Sequence, residues 1–318
     1  MDYDILNSAI SDIIDIVNNY NRKHNYSIEV CEDLVISLTG FYLAFGPEIF
    51  SKIGQVLPTL ELHCANNKAS IDEVKQEVRG DQYLFKNDNP ETIWKLVLDK
   101  KNNNFIGALP HIVYHQDTQV EEPLTLSHEL SHVLEGCTAK VISEDDKTVT
   151  FRIGFSEVKY SKETGYPLDG YGHGMTELIT VTVENKILKK FSGLDPENID
   201  NPLVKDYVSK IKEIKSEQIL ANSYLTMAGI FKDLIDNDKF FNLIEKYYYE
   251  TDQDGFIEEF DSMDKDLSFK RLVRHAESLC NPDDERAVLR HIPHIQTQLN
   301  TLNKVTNTTP SKEIVLVL

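Results

Sequence analysis

A chain of 318 residues can form one large domain or two to three smaller ones, and can bury a substantial core. It carries 33 basic against 52 acidic side chains, a formal net charge of −19, and such a surface repels phosphate backbones and argues against a nucleic-acid partner. The 41% hydrophobic and 27% charged residues are the balance of an ordinary soluble globular protein.

The N-terminal Met1-Asp2-Tyr3-Asp4 lacks the basic segment of a secretory signal. Leu6, Ile10, Ile13 and Val17 recur at helical spacing, and a second, apolar helix is expected over about Glu32 to Phe45, ended by Gly46-Pro47. Its stretch Leu34 to Phe45 is too short to span a bilayer, so no membrane span is expected. Asp88-Asn89-Pro90 reads as the start of a short helix containing Trp94 and Leu96, and Asn102-Asn103-Asn104 as a turn. Phe105 to Tyr114 follows as one or two strands, and Pro110 places that segment at a sheet edge.

A helix comes next, which Pro123 can begin at its first position and Gly136 can end as the residue just past its last turn. The period then changes to two. Val149, Phe151, Ile153 and Phe155 alternate with polar residues, and Lys140 to Ser143 can pair with them across Glu144-Asp145-Asp146-Lys147. Ser156 to Gly174 reads as a Tyr- and Gly-rich loop, Met175 to about Lys190 as a helix, and Leu203 to about Leu302 as a run of helices. The expected fold class is α+β and helix-rich. It divides into a mainly helical N-terminal region (1–104), a catalytic core with a small antiparallel or mixed sheet (105–190) and a helical C-terminal region (191–318).

The chemistry concentrates in Leu124-Thr-Leu-Ser-His-Glu-Leu-Ser-His-Val-Leu-Glu-Gly136, which contains H-E-x-x-H. On a helix, residues four apart share a face, so His128 and His132 can present two imidazoles to one ion. Glu129 lies off that face, where it can serve as general base rather than ligand. Zinc lowers the pKa of a water towards neutrality, and a carboxylate beside it can take the proton as the water attacks a carbonyl.

This segment resembles the zincin metallopeptidases, in which an edge strand lines the cleft and the H-E-x-x-H helix lies beneath it. Metzincins would need Gly at 135 and His at 138, where this chain has Glu135 and Thr138. The similarity is to gluzincins, which take a third ligand, a Glu, from a later helix. Glu177, in Gly174-Met-Thr-Glu-Leu-Ile-Thr180, fits that role. The flanks Ile153-Gly154-Phe155 and His173-Gly174-Met175-Thr176-Glu177 are similar to a group of little-characterised bacterial metallopeptidases, over about Thr125 to Glu184. Two residues depart from the pattern: His173 stands where that group often has Glu, and Val181 where some gluzincins have Asp.

The resemblance implies a zinc-dependent peptidase acting on a peptide or protein in the bacterial cytoplasm. It implies Zn2+ on His128, His132 and Glu177, with Glu129 as base; Tyr171 and His173, in the loop just before Glu177, are the candidate oxyanion donors that such acyl-transfer chemistry needs. Glu157, Glu163, Asp169 and Glu184 are the fallback ligands, and His173 could replace any of them. His111 and His115 are weaker candidates. A catalytically silent zincin-fold binding module and an exported toxin or effector protease are the alternatives. Cys31, Cys64, Cys137 and Cys280 form no CxxC pair and are read as reduced thiols. Oligomeric state and substrate sequence have no signal in the chain. Glu250 to Asp261 fits a calcium loop poorly at both ends, and an acidic helix-loop-helix is the expectation there.

Overall fold

In the computed structural model the N-terminal amphipathic period forms α1 (Tyr3–His24), capped by the Asp2 carboxylate, which accepts from the Asp4 and Ile5 amides. The residues described are 2–67, 70–79, 90–98, 105–115, 121–136, 140–144, 148–161, 167–213, 231–250, 252–262 and 268–279. The expectations on Asp88-Asn89, Asn102–Asn104, Asp145–Lys147, Glu163, Cys137, Cys280 and the region after Leu279 lie outside them. Leu6, Ile10, Ile13 and Val17 of α1 are all buried, as their spacing requires. Ser27 caps α2 (Ile28–Phe45), which is apolar around most of its circumference and lies in the interior. A short α3 (Ile49–Val56) follows.

The chain forms two compact units, Met1–Cys137 with Lys186–Ile219, and Thr138–Asn185 with Leu220–Leu318. The segment expected as one catalytic core, 105–190, contributes residues to both.

The first unit holds a three-stranded mixed sheet, β1 (Glu61–Ala65), β2 (Glu91–Leu98) and β3 (Phe105–His115), in the order β1-β3-β2. Two sequence expectations are corrected here. Glu91 to Leu98 is a strand and not a helix, because Thr92 and Trp94 serve one face while Ile93 serves the other. β3 is the central strand and not an edge, with β1 parallel on one side and β2 antiparallel on the other. Pro110 is tolerated because the β1 ladder reaches only His111 to His115, so that opposite Pro110 only β2 is paired.

The sheet has two covered faces. Ala65, Ile93 and Val113 pack with Ile71 and Val78 of α4 (Ile71–Arg79) on one. The other face meets α5 (Glu121–Gly136) through Thr92 and meets α2 through Tyr114, whose hydroxyl donates to Asp33 at 3.3 Å. The Tyr20 hydroxyl donates to the Leu60 carbonyl and the Leu62 amide donates to the Tyr26 hydroxyl, tying α1 and its exit to β1. Gly40 lets α2 approach the end of α6 (His173–Ser192) closely, since a Cβ there would stand 2.7 Å from Ile187 Cγ2. α7 (Pro202–Glu213) completes the described part of this unit.

The second unit holds a four-stranded antiparallel meander, β4 (Lys140–Glu144), β5 (Thr148–Ile153), β6 (Ser156–Ser161) and β7 (Pro167–Tyr171). The expected pairing of Lys140–Ser143 with the 149–155 segment is present as β4 on β5. The expected loop over 156–174 is instead two further strands, with Pro167 admitted at the first position of an edge strand. Gly154, at φ 56, makes the two-residue turn between β5 and β6. Phe155 beside it is buried, with ring centroids 4.8 Å from Tyr247, 4.9 Å from Phe256 and 5.3 Å from Phe269.

Those partner rings belong to α9 (Asp238–Glu250), α10 (Gln253–Ser262) and α11 (Phe269–Leu279), preceded by the short α8 (Lys232–Ile235). The Asp252 carboxylate accepts from the Gly255 amide at 3.0 Å and so caps α10, which leaves the acidic turn a helix connection. The described residues are thus α+β and helix-rich, with a small three-stranded mixed sheet in the first unit and a four-stranded antiparallel sheet in the second. Among the described residues, no helix is long and apolar enough to cross a membrane.

Candidate metal centre

α5 is held by its opening turn. The Ser37 hydroxyl from α2 donates to the Pro123 carbonyl at 2.8 Å, and Ser127 donates to the same carbonyl at 2.7 Å. Leu124, Leu126, Leu130, Val133 and Leu134 are all buried, so the helix is packed around a wide arc. His128 and His132 are half-buried on the remaining face, with ring centroids 4.9 Å apart and planes nearly perpendicular. Two imidazoles one turn apart supply two borderline nitrogen donors to one side of the helix.

Glu129 is only 5% exposed. The Thr92 hydroxyl stands 2.7 Å from its Oε2 and 3.0 Å from its backbone carbonyl oxygen, so β2 orients this side chain. Its single proton goes to one acceptor at a time, the carboxylate being the closer. Sequence reasoning missed Thr92 because it took the segment for a helix; the β-branched run Thr92-Ile93 was the available signal.

In the second unit, Glu177 is 2% exposed near the start of α6. His173, the first residue of that helix, lies mostly in solvent and places Nε2 at 3.4 Å from Glu177 Oε1. The glycines around it are structural requirements. Gly172 has φ +88, and a Cβ there would meet the Phe155 carbonyl. A Cβ on Gly174 would stand 2.3 Å from the Ala276 carbonyl carbon, and the Gly174 amide donates to Glu277 Oε2 at 2.9 Å. Backbone-to-backbone approach of α6 and α11 is what the Gly-x-Thr-Glu sequence permits.

Of the fallback ligands, Glu157 is engaged by Arg152, whose Nε donates to Oε1 at 2.9 Å. Glu184 is half-buried on α6. Asp169 and Tyr171 lie in β7, with Lys159 and Glu157 as their strand partners; Glu163 is outside the described residues. His111 and His115 are on the sheet face turned away from Glu129, beside Ile93 and Ala65. Burial and then the Lys95 charge, opposed by Glu61, push the His111 imidazole down to about 4.

In comparison with known proteins, the chain matches no protein-family model, no curated protein and no solved structure.

Proposed function

We propose that the protein is a zinc-dependent metallopeptidase with a zincin-like core of the gluzincin type, in which His128, His132 and Glu177 hold the ion. The observation that carries this reading is the pairing on α5 of two half-buried imidazoles with a buried carboxylate oriented by Thr92. The donor set fits zinc, which takes two histidines and a glutamate in open, hydrolytic sites. Glu177 suits the third place because it is a buried carboxylate near the start of one continuous helix. That helix begins in the second unit and ends in the first, since the division of the chain falls within it.

When bound, zinc supplies Lewis acidity that makes water a competent nucleophile near neutral pH. Glu129 accepts the proton of the attacking water through a carboxylate oxygen and passes it to the leaving amine. Thr92 fixes the carboxylate that does this, and Tyr171 or His173 donates to the oxyanion formed at the attacked carbonyl.

Metal removal tests the reading. Purified protein should contain zinc and cleave a mixed peptide library; chelation should abolish cleavage and added Zn2+ should restore it. Cleavage indifferent to chelation, or none at full zinc occupancy, overturns it.

The role of Thr92 is separately measurable. Thr92→Val keeps the shape and removes the hydroxyl, so kcat should fall roughly tenfold, the value of a hydrogen bond to a charged group. The acidic limb of kcat/KM should move to higher pH, because one donor to the ionised carboxylate is gone. A variant with unchanged rate and profile would show that Thr92 does not position the base.

A further inference from the structure

On the α4 side of the first sheet, away from Glu129, three ligand-type side chains converge at the mouth of a hydrophobic cluster. Glu61 and His63 are two residues apart on β1 and therefore share a face. His111 is the parallel partner of Glu61 in β3 and joins them on that face. His63 Nε2 lies 3.0 Å from His111 Nδ1, Glu61 Oε2 lies 3.4 Å from His111 Nδ1, and the third edge, from Glu61 Oε2 to His63 Nε2, is 3.8 Å.

A hydrogen bond between the imidazoles accounts for the first edge alone. The triangle as a whole matches a metal face. Ligands about 2.0–2.2 Å from zinc at tetrahedral angles stand roughly 3.3–3.6 Å from one another, and the three edges bracket that value. The group is also graded in exposure. His111 is 4% exposed, His63 28% and Glu61 51% at the side chain, so two anchors sit inward and the carboxylate opens to solvent. Ala65, Ile93 and Val113, one from each of the three strands, pack together on the same face, so the nitrogens are placed before any ion arrives.

We propose that Glu61, His63 and His111 form a second divalent metal site of the zinc class, with a solvent molecule completing the coordination. The site is independent of the α5 histidines, and its effect is structural. The ion bridges β1 to β3, whose parallel pairing is only five residues long, and so stabilises the folded first unit by binding it in preference to the open chain.

The test uses the full chain carrying His128→Ala and His132→Ala, so that failure of the peptidase reading cannot imitate failure of this one. After chelation and dialysis, Zn2+ alone is titrated in by calorimetry, and Co2+ by visible absorption. The expected result is about one equivalent of Zn2+, intense bands of four-coordinate Co2+, and a raised melting temperature with zinc. Adding Glu61→Gln should weaken Zn2+ binding at least tenfold, and adding His63→Gln should abolish it. Because His63 lies within β1, the circular dichroism of His63→Gln is compared with that of its parent. Glu61 is half exposed, and its variant decides the matter if the histidine variant unfolds. No retained zinc in the two-histidine background, or retained zinc that Glu61→Gln leaves at unchanged affinity, overturns the proposal.

Discussion

Glu129→Gln is expected to keep its zinc and its fold while hydrolysis drops by about 10²–10⁴-fold, the usual contribution of a general base. The amide preserves the size of the side chain and can still meet the Thr92 hydroxyl through its oxygen. It cannot accept the proton of the attacking water. The measurement is peptide cleavage by both proteins at equal zinc occupancy. Equal rates would mean that another base, or a contaminant, does the work. Cleavage by neither protein would favour a silent binding module.

The second large effect concerns Glu177. Removing a ligand should cost more than the 10–100-fold in affinity typical of losing a residue that merely orients one, so Glu177→Ala should lower zinc affinity by at least about 100-fold. Glu157→Ala should leave affinity unchanged, because that carboxylate is occupied by Arg152. Competition against a chelator of known strength measures both. His173 is the internal control: it lies 3.4 Å from Glu177 and is largely exposed. If zinc survives Glu177→Ala and is lost in His173→Ala, the ligand is the histidine. Circular dichroism of Glu177→Ala guards against simple unfolding, since the side chain is buried near the start of α6.

The helices that carry these residues were legible because their signals are local. The apolar spacing of α1, the Gly46-Pro47 stop of α2 and the i, i+4 pair on α5 are all contained in short windows of sequence, whereas the Ser27 cap, upstream of the expected start of α2 at about Glu32, was not read. The sheets were read less well, because strand pairing is non-local. Pro110 signalled an edge, yet the β1 ladder stops one residue short of it and leaves β3 in the middle. Pro90 resembled a helix start, and the alternation of Thr92, Ile93 and Trp94 was too short to outweigh it. The same limit hid the best-placed polar contacts. Thr92 meets Glu129 across 37 positions and His63 meets His111 across 48, and no pattern on either partner's element announces the other. The Gly-Phe and His-Gly-Met-Thr-Glu stretches stood out as motifs. Their glycines and Phe155 are accounted for by tight turns, backbone contact and an aromatic cluster.

Trp94 is the only tryptophan of the chain. It lies on β2 two residues from Thr92, on the face turned towards α5. Its indole is half-buried and belongs wholly to the first unit. A single indole thus sits in the strand whose Thr92 hydroxyl meets Glu129, while the second unit contains tyrosines and no indole. Emission excited at the red edge therefore reports the melting of one unit without contribution from the other. A paramagnetic ion such as Co2+ seated in this unit would reveal itself by quenching that one signal.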